Sequence, residues 1–189
     1  MQAVSSGDDT VAEMISSLAE QFRYLIDNAS DEVLVSEELL IIEKYFRLID
    51  VRYGGRITLS VSVNGNVKKL KIPRLTIQTI VENAVVHGLK VKGGSVEVRG
   101  YTENNADMIE IIDNGVGMSA ERLEEINYAI SSKDGVISQQ SFRSGIGLKN
   151  VSERLSMYYG ERSKMTVESI ENVGTSVKIT IQREAEQNV

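Results

Sequence analysis

The spacing of hydrophobic and polar positions changes several times along the chain, and each change marks an element. Between Thr10 and Asn28, the apolar residues Val11, Met14, Ile15, Leu18, Phe22, Leu25 and Ile26 recur at helical spacing, which predicts an amphipathic helix. Residues 1–9 lack this pattern and read as a frayed start. A second stripe, Leu39, Ile42, Phe46, Ile49 and Val51, predicts a helix from Ser36 as N-cap, with Glu37 and Glu38 at the positive end of its dipole. It stops at Gly54-Gly55. The period then shortens to that of a strand. Ile57, Leu59, Val61 and Val63 alternate, Asn64-Gly65 has the composition of a two-residue hairpin turn, and Val67, Leu70 and Ile72 lead back.

Pro73 stands where a helix can begin, and residues 75–89 have helical character. Val96, Val98 and Tyr101 predict a strand with Met108–Ile112 as its hairpin partner. Residues 120–130 predict a short helix and 147–159 a longer one, separated by the polar, glycine-containing stretch from Ser131 to Ser144. That stretch has almost no core-forming residues and reads as a mobile loop. Residues 165–170 and 175–181 close a last hairpin around Asn172-Val173-Gly174. Hairpin-paired strands with interleaved helices predict an α+β fold with helices on one sheet face.

Composition narrows the functions available. At 189 residues the chain fits one domain with a short appendage. A net charge of −6 argues against general nucleic-acid binding, which needs a basic face. Cysteine is absent and His87 is the one histidine, so a thiolate nucleophile and a zinc-type site are excluded. Any metal is then a hard cation held by oxygen ligands. No apolar run approaches the roughly 20 residues of a membrane span, and no signal-peptide pattern opens the chain.

Three segments carry candidate chemistry. Asp113-Asn114-Gly115-Val116-Gly117-Met118 follows an apolar strand; its carboxylate suits a ring amine, and its glycines let the backbone approach a flat heterocycle. An ordinary turn has the same composition. Glu82-Asn83 and His87 lie on the helix expected over 75–89, with Asn83 and His87 four apart on one face. An inward amide there is either a hydrogen-bonded network residue or a cation ligand. Gly145-Ile146-Gly147-Leu148 precedes a helix, where free amides attract phosphate. The Lys-Ser/Thr of a P-loop does not follow, and no parallel βαβ unit of the dinucleotide type surrounds it. Gly174-Thr175 reads as a plain turn.

Taken in order, these segments resemble the GHKL ATPase superfamily. "IPRLTIQTIVENAVVHG", "DNGVGM", "GIGLKNVSERLSMYYG" and "GTSVKITI" look like the histidine kinases of the LytS/YesM type, and the resemblance runs from about residue 14 to 182. It implies the Bergerat two-layer α/β sandwich: a mixed, mainly antiparallel sheet under helices, preceded by N-terminal helices. Residues 1–30 would be the end of the dimerisation and phosphoacceptor region, and residues 31–189 the catalytic domain. The implied ligands are ATP and Mg2+. Asp113 would accept from the adenine amine, with Gly115, Gly117 and Met118 shaping the pocket and Thr175 near the base. Asn83 would bind magnesium, with His87 beside it. Gly145, Ile146, Gly147 and Leu148 would meet the phosphates, and Met118 to Ser144 would form the ATP lid.

Departures from the family pattern limit the chemistry. Val86 stands where many sensor kinases carry a basic residue, so Lys90, Lys92, Arg143 or Lys149 would supply phosphate charge. Thr79 stands where hydrolysing relatives carry a glutamate that activates water. Glu82, turned about 100° from Asn83, is left an outer catalytic role. Arg154 has a salt bridge as its plainer use. The phosphoacceptor histidine of the family is absent, so the chain looks like a fragment of a longer protein. The resemblance implies a cytoplasmic domain whose parent is a membrane-anchored homodimer acting on a phosphoacceptor helix and a response regulator, with no nucleic-acid partner. Rival readings are an anti-sigma serine kinase of the same superfamily and a nucleotide-binding pseudokinase.

Overall fold

The computed structural model describes residues 31–131 and 146–184. The helix expected over Thr10–Asn28 and nearly all of the polar stretch 131–144 lie outside the described residues. A short strand β1 (Glu32–Leu34) leads into helix α1 (Val35–Tyr53). Leu39, Ile42, Phe46 and Ile49 are buried together, on the face their spacing predicts. The helix ends as expected at Gly54, but Leu34 rather than Ser36 holds the cap position. The Leu34 N–H donates to the Glu37 carboxylate at 2.8 Å, so a glutamate at the third helical position satisfies the cap residue's own amide.

β2 (Ile57–Val63) is followed by a one-turn helix α2 (Gly65–Lys68), not by a hairpin. A type I′ turn needs positive φ, and Asn64 has φ −71. Its side chain instead accepts from the Val67 N–H at 2.9 Å and caps α2. β3 (Lys71–Pro73) consequently pairs with β1 in a separate two-stranded sheet, and β2 pairs in parallel with β4 (Gly94–Glu103). Pro73 ends β3 rather than opening a helix.

Helix α3 (Thr76–Asn83) starts after Leu75, whose φ is 62, and continues as a π-helical turn (Ala84–Leu89). Its N-terminus is held from a distance. Glu38 on α1 is only 1% exposed, and its carboxylate accepts from the N–H groups of Leu75, of Ile77 at 2.8 Å and of Gln78 at 3.2 Å. These are the amides a helix start leaves without partners.

β5 (Ala106–Asp113) lies at the centre of the main sheet, whose order is β2-β4-β5-β7-β6, with β6 (Ser163–Ile170) and β7 (Gly174–Gln182) on its far side. All neighbours except β2 and β4 are antiparallel. Asn104 and Asn105, with φ 50 and 61, make the true type I′ turn, between β4 and β5. On the inner face Val96 and Val98, Ile109 and Ile111, Val177, Ile179 and Ile181 are buried. They form one core with α1, α3 and helix α5 (Ile146–Tyr159). Each such side chain contributes roughly 1.5–3 kcal/mol. Helix α4 (Ala120–Ser131) packs against β6 and α5. The result is a two-layer α+β sandwich over a mixed, mainly antiparallel sheet.

Candidate functional site

Alternation along β5 buries Asp107, Ile109, Ile111 and Asp113, which puts a carboxylate at each end of the central strand's inner face. The two ends differ. Asp107 is closed: Arg183 donates to it through Nε at 2.9 Å and Nη2 at 2.7 Å, and Thr102 Oγ1 donates at 2.7 Å. Asp113 is held by backbone alone, with the Gly115 N–H donating to Oδ1 at 2.8 Å and the Thr175 N–H beside it. Burial pushes its carboxyl above the usual 3.8 despite these amides, and among the described residues no cation offsets that burial. A buried acceptor of this kind has capacity left for a donor brought by a ligand.

Asp113 opens into a cavity of about 130 Å³. That is close to the ~150 Å³ that accepts a single benzene ring in an engineered apolar cavity. Asn83 and His87 from the α3 segment, Gly117 and Met118 after β5, Leu148 on α5 and Thr175 on β7 all line it. Most of the remaining wall is apolar, from Ile80, Ala84, Ile111, Ile126 and Val177. Gly88 and Arg122 also line it, and neither was singled out from the sequence. Gly88 carries a spacing signal, since it follows His87 at the end of the Asn83 segment. Arg122 lies in no motif.

Gly88 and Gly115 are a matched pair. A Cβ on Gly115 would stand 2.4 Å from the Gly88 carbonyl oxygen, and one on Gly88 would stand 2.8 Å from Asp113 Oδ1. The same carbonyl accepts from the Val116 N–H at 3.0 Å, so the turn after Asp113 rests on the end of the α3 segment. Gly115→Ala is therefore expected to cost about 2 kcal/mol, seen as a thermal midpoint lowered by roughly 5 °C. Gly65→Ala is the matched control, because nothing lies within 4 Å of its Cβ position, and its midpoint should not move. Beyond Gly117 the Met118 N–H donates to Ser169 Oγ at 2.9 Å, and Ser169 Oγ lies 3.0 Å from Thr175 Oγ1. These bonds tie the turn to the last hairpin.

Gly147 does not line this cavity but meets Asn83: its Cβ position is 3.3 Å from Asn83 Nδ2 and 3.2 Å from Thr79 Cγ2. With Thr79 and Asn150 it lines a second, more open hollow of about 430 Å³ beside the first. Gly145 lies outside the described residues, and Ile146 opens α5. Glu82 accepts from Gln78 Nε2 at 2.8 Å and is not part of either wall. The Thr79 hydroxyl donates to the Leu75 carbonyl. Among the candidate basic residues, Lys149 is buried with Nζ 3.7 Å from Glu153, and Lys92 Nζ lies 3.5 Å from the Asn172 carbonyl. Arg143 is outside the described residues. Arg154 donates to the Arg74 carbonyl, and among the described residues it forms no salt bridge of the kind expected of it.

The family comparison identifies this fold as that of an ATPase domain. Residues 69–185, more than half of the chain, match the histidine kinase-, DNA gyrase B- and HSP90-like ATPases, and the chain belongs to that family. Residues 1–57 match a histidine kinase family. Among curated proteins, the sensor histidine kinase YesM of Bacillus subtilis is 28% identical over 173 residues, covering 90% of this chain and 27% of that protein. The sensor protein kinase HptS of Staphylococcus aureus is 24% identical, covering 90% of this chain and 32% of that protein. The chain thus spans about a quarter to a third of these relatives. In fold it is similar to the histidine kinase domain of the Erythrobacter litoralis EL346 blue-light-activated kinase, with 18% identity, a TM-score of 0.53, and 94% of this chain and 81% of that one covered. The catalytic domain of the histidine kinase ThkA gives 18% identity and a TM-score of 0.54, over 82% of this chain and 97% of that one.

Proposed function

We propose that the cavity takes the adenine of ATP and that the chain is the catalytic part of a sensor histidine kinase. It would move the γ-phosphoryl to a histidine on a segment outside this chain, for relay to a response-regulator aspartate. The observation that carries this reading is Asp113, a buried carboxylate without a cation among the described residues, facing an otherwise mostly apolar ring-sized cavity. The exocyclic amine would donate to it while Ile111, Ile126, Leu148 and Val177 exclude water from the ring. Thr175 would stand beside the base, and His87 would serve as a wall residue rather than a phosphoacceptor.

Asn83, against Gly147 at the start of α5, is where magnesium and the phosphates would enter. Among the described residues no three His, Cys, Asp or Glu side chains gather to hold a metal ion. Magnesium keeps phosphates and waters as most of its ligands, so one amide oxygen fits it. The ion would neutralise phosphate charge; the chain's part is positioning, with Gly147 and the amides of α5 turned to the phosphate tail. Thr79, whose hydroxyl is used by Leu75, offers no base for water, which supports transfer over rapid hydrolysis. We assign residues 1–30 to the end of the dimerisation region and 31–189 to the catalytic domain, with a paired, membrane-anchored parent. No helix of the described residues is long and apolar enough to cross a membrane.

The test mixes this chain with a separate phosphoacceptor segment and γ-labelled ATP. Label on the added histidine, lost with Asn83→Ala, is the expected result. Saturable ATP binding without label would favour the pseudokinase reading.

A further inference from the structure

Three neighbouring strands of the main sheet change character at the same end. Along the inner face Met165 and Val167 lead to Ser169 on β6, Ile179 and Val177 to Thr175 on β7, and Ile109 and Ile111 to Asp113 on β5. Strand pairing sets Ser169 opposite Thr175 and Thr175 opposite Asp113, so the three polar side chains stand in one row on one face. Asp113 and Thr175 line the cavity, and Ser169 stands behind them. The half-buried Ser169 hydroxyl has a full set of partners. It accepts from the Met118 N–H at 2.9 Å, and lies 2.9 Å from the Gly174 carbonyl and 3.0 Å from Thr175 Oγ1.

A hydroxyl has one proton to give and two lone pairs with which to accept. The Gly174 carbonyl can only accept, so Ser169 gives it that proton. Its second lone pair then takes the proton of Thr175. Thr175 Oγ1 is left with its lone pairs and nothing to donate, and among the described residues no other group bonds to it. This corner of the wall therefore presents acceptors only, a hydroxyl oxygen beside a carboxylate. We propose that Ser169, which touches no ligand, is a positioning residue for base selection. It commits the Thr175 hydroxyl as an acceptor, so that an exocyclic amine gives one proton to Asp113 and the other to Thr175. A free threonine hydroxyl could turn and donate to a carbonyl in the same place; Ser169 prevents that turn. This rests on the adenine-nucleotide reading of the cavity and adds the means by which a base with a carbonyl there is refused.

The test titrates ATP and inosine triphosphate, which carries a carbonyl oxygen in place of the amine, into the unsubstituted protein and Ser169→Ala. With Ser169 gone, the Thr175 proton is released to the inosine carbonyl. The preference for ATP should shrink about tenfold, as for one hydrogen bond regained. Loosening of the Met118 turn would weaken both nucleotides alike and leave the ratio where it was. Ser169→Thr, which keeps the hydroxyl, should restore the ratio. Thr175→Val removes the acceptor itself and should lower the ratio as well, with Ser169→Ala adding nothing further to it. An unchanged ratio in Ser169→Ala overturns the inference and leaves Ser169 a structural tie. Should that variant not fold, an unchanged ratio in Thr175→Val overturns it instead. If the unsubstituted protein binds the two nucleotides equally, the adenine reading falls and takes this inference with it. If it prefers ATP and the variants keep that preference, only this inference falls.

Discussion

Asp113→Ala is expected to weaken ATP binding by roughly a hundredfold, the equivalent of one charge-assisted hydrogen bond lost in a mostly apolar site. The carboxylate is 7% exposed and lies on the central strand, paired with Val96 on one side and Thr175 on the other. No other described carboxylate lines the cavity to replace it. Calorimetric titration reads the effect directly. Asp113→Asn sharpens it. The amide oxygen can still accept from the Gly115 N–H, and the burial that raises the Asp113 carboxyl no longer weighs on the fold. Binding should fall while the unliganded midpoint holds or rises. A variant that lost both together would indicate collapse of the turn instead.

Glu38→Ala is expected to have the largest effect on stability, about 4 kcal/mol by chemical denaturation, because three helix-start amides, two of them buried, lose their acceptor together. Loss of less than about 1 kcal/mol would show that water or neighbouring carbonyls replace it. Asn83 closes the same helix, so the damage should extend to nucleotide affinity although Glu38 is remote from the cavity walls. Burial raises the Glu38 carboxyl above the usual 4.5, outweighing the backbone amides that lower it. Well below 4.5 both folded and unfolded chains hold the proton. Between 4.5 and the raised value, the folded chain keeps a proton that the unfolded chain has released, so Glu38 stabilises less as pH rises through that window. Glu38→Gln removes this slope, and the difference between its denaturation curves and those of the unsubstituted protein isolates it.

What the sequence made legible was whatever depends on near neighbours. Apolar runs between turn signals marked β4, β5, β6 and β7, and helical spacing marked the stripe of α1, of which Val51 alone is exposed. Motif order, more than any single motif, links Asn83, Asp113, Gly117, Met118, Leu148 and Thr175, and the fold sets these six around one cavity. Local ambiguity caused the first error, since Asn64-Gly65 serves equally as a hairpin turn and as a helix cap, and only the parallel pairing of β2 with β4 decides between them. Distance hid the rest. Glu38 caps a helix whose cap residue, Leu75, lies 37 residues downstream, and Gly88 matters only because Gly115 comes to lie on its carbonyl. Arg122 has no spacing or composition to mark it; it joins the cavity wall only in the folded chain.

The most direct measurement is the affinity for ATP against that for inosine triphosphate, in which a carbonyl oxygen replaces the exocyclic amine and N1 becomes a donor, while the ribose and the phosphates are retained. With Asp113 set to accept from that amine, ATP should bind at least about a hundredfold more tightly, because the carboxylate would otherwise face another acceptor in a water-poor site. Equal affinities would contradict the assignment of Asp113 to the adenine amine, and with it the adenine reading of the cavity.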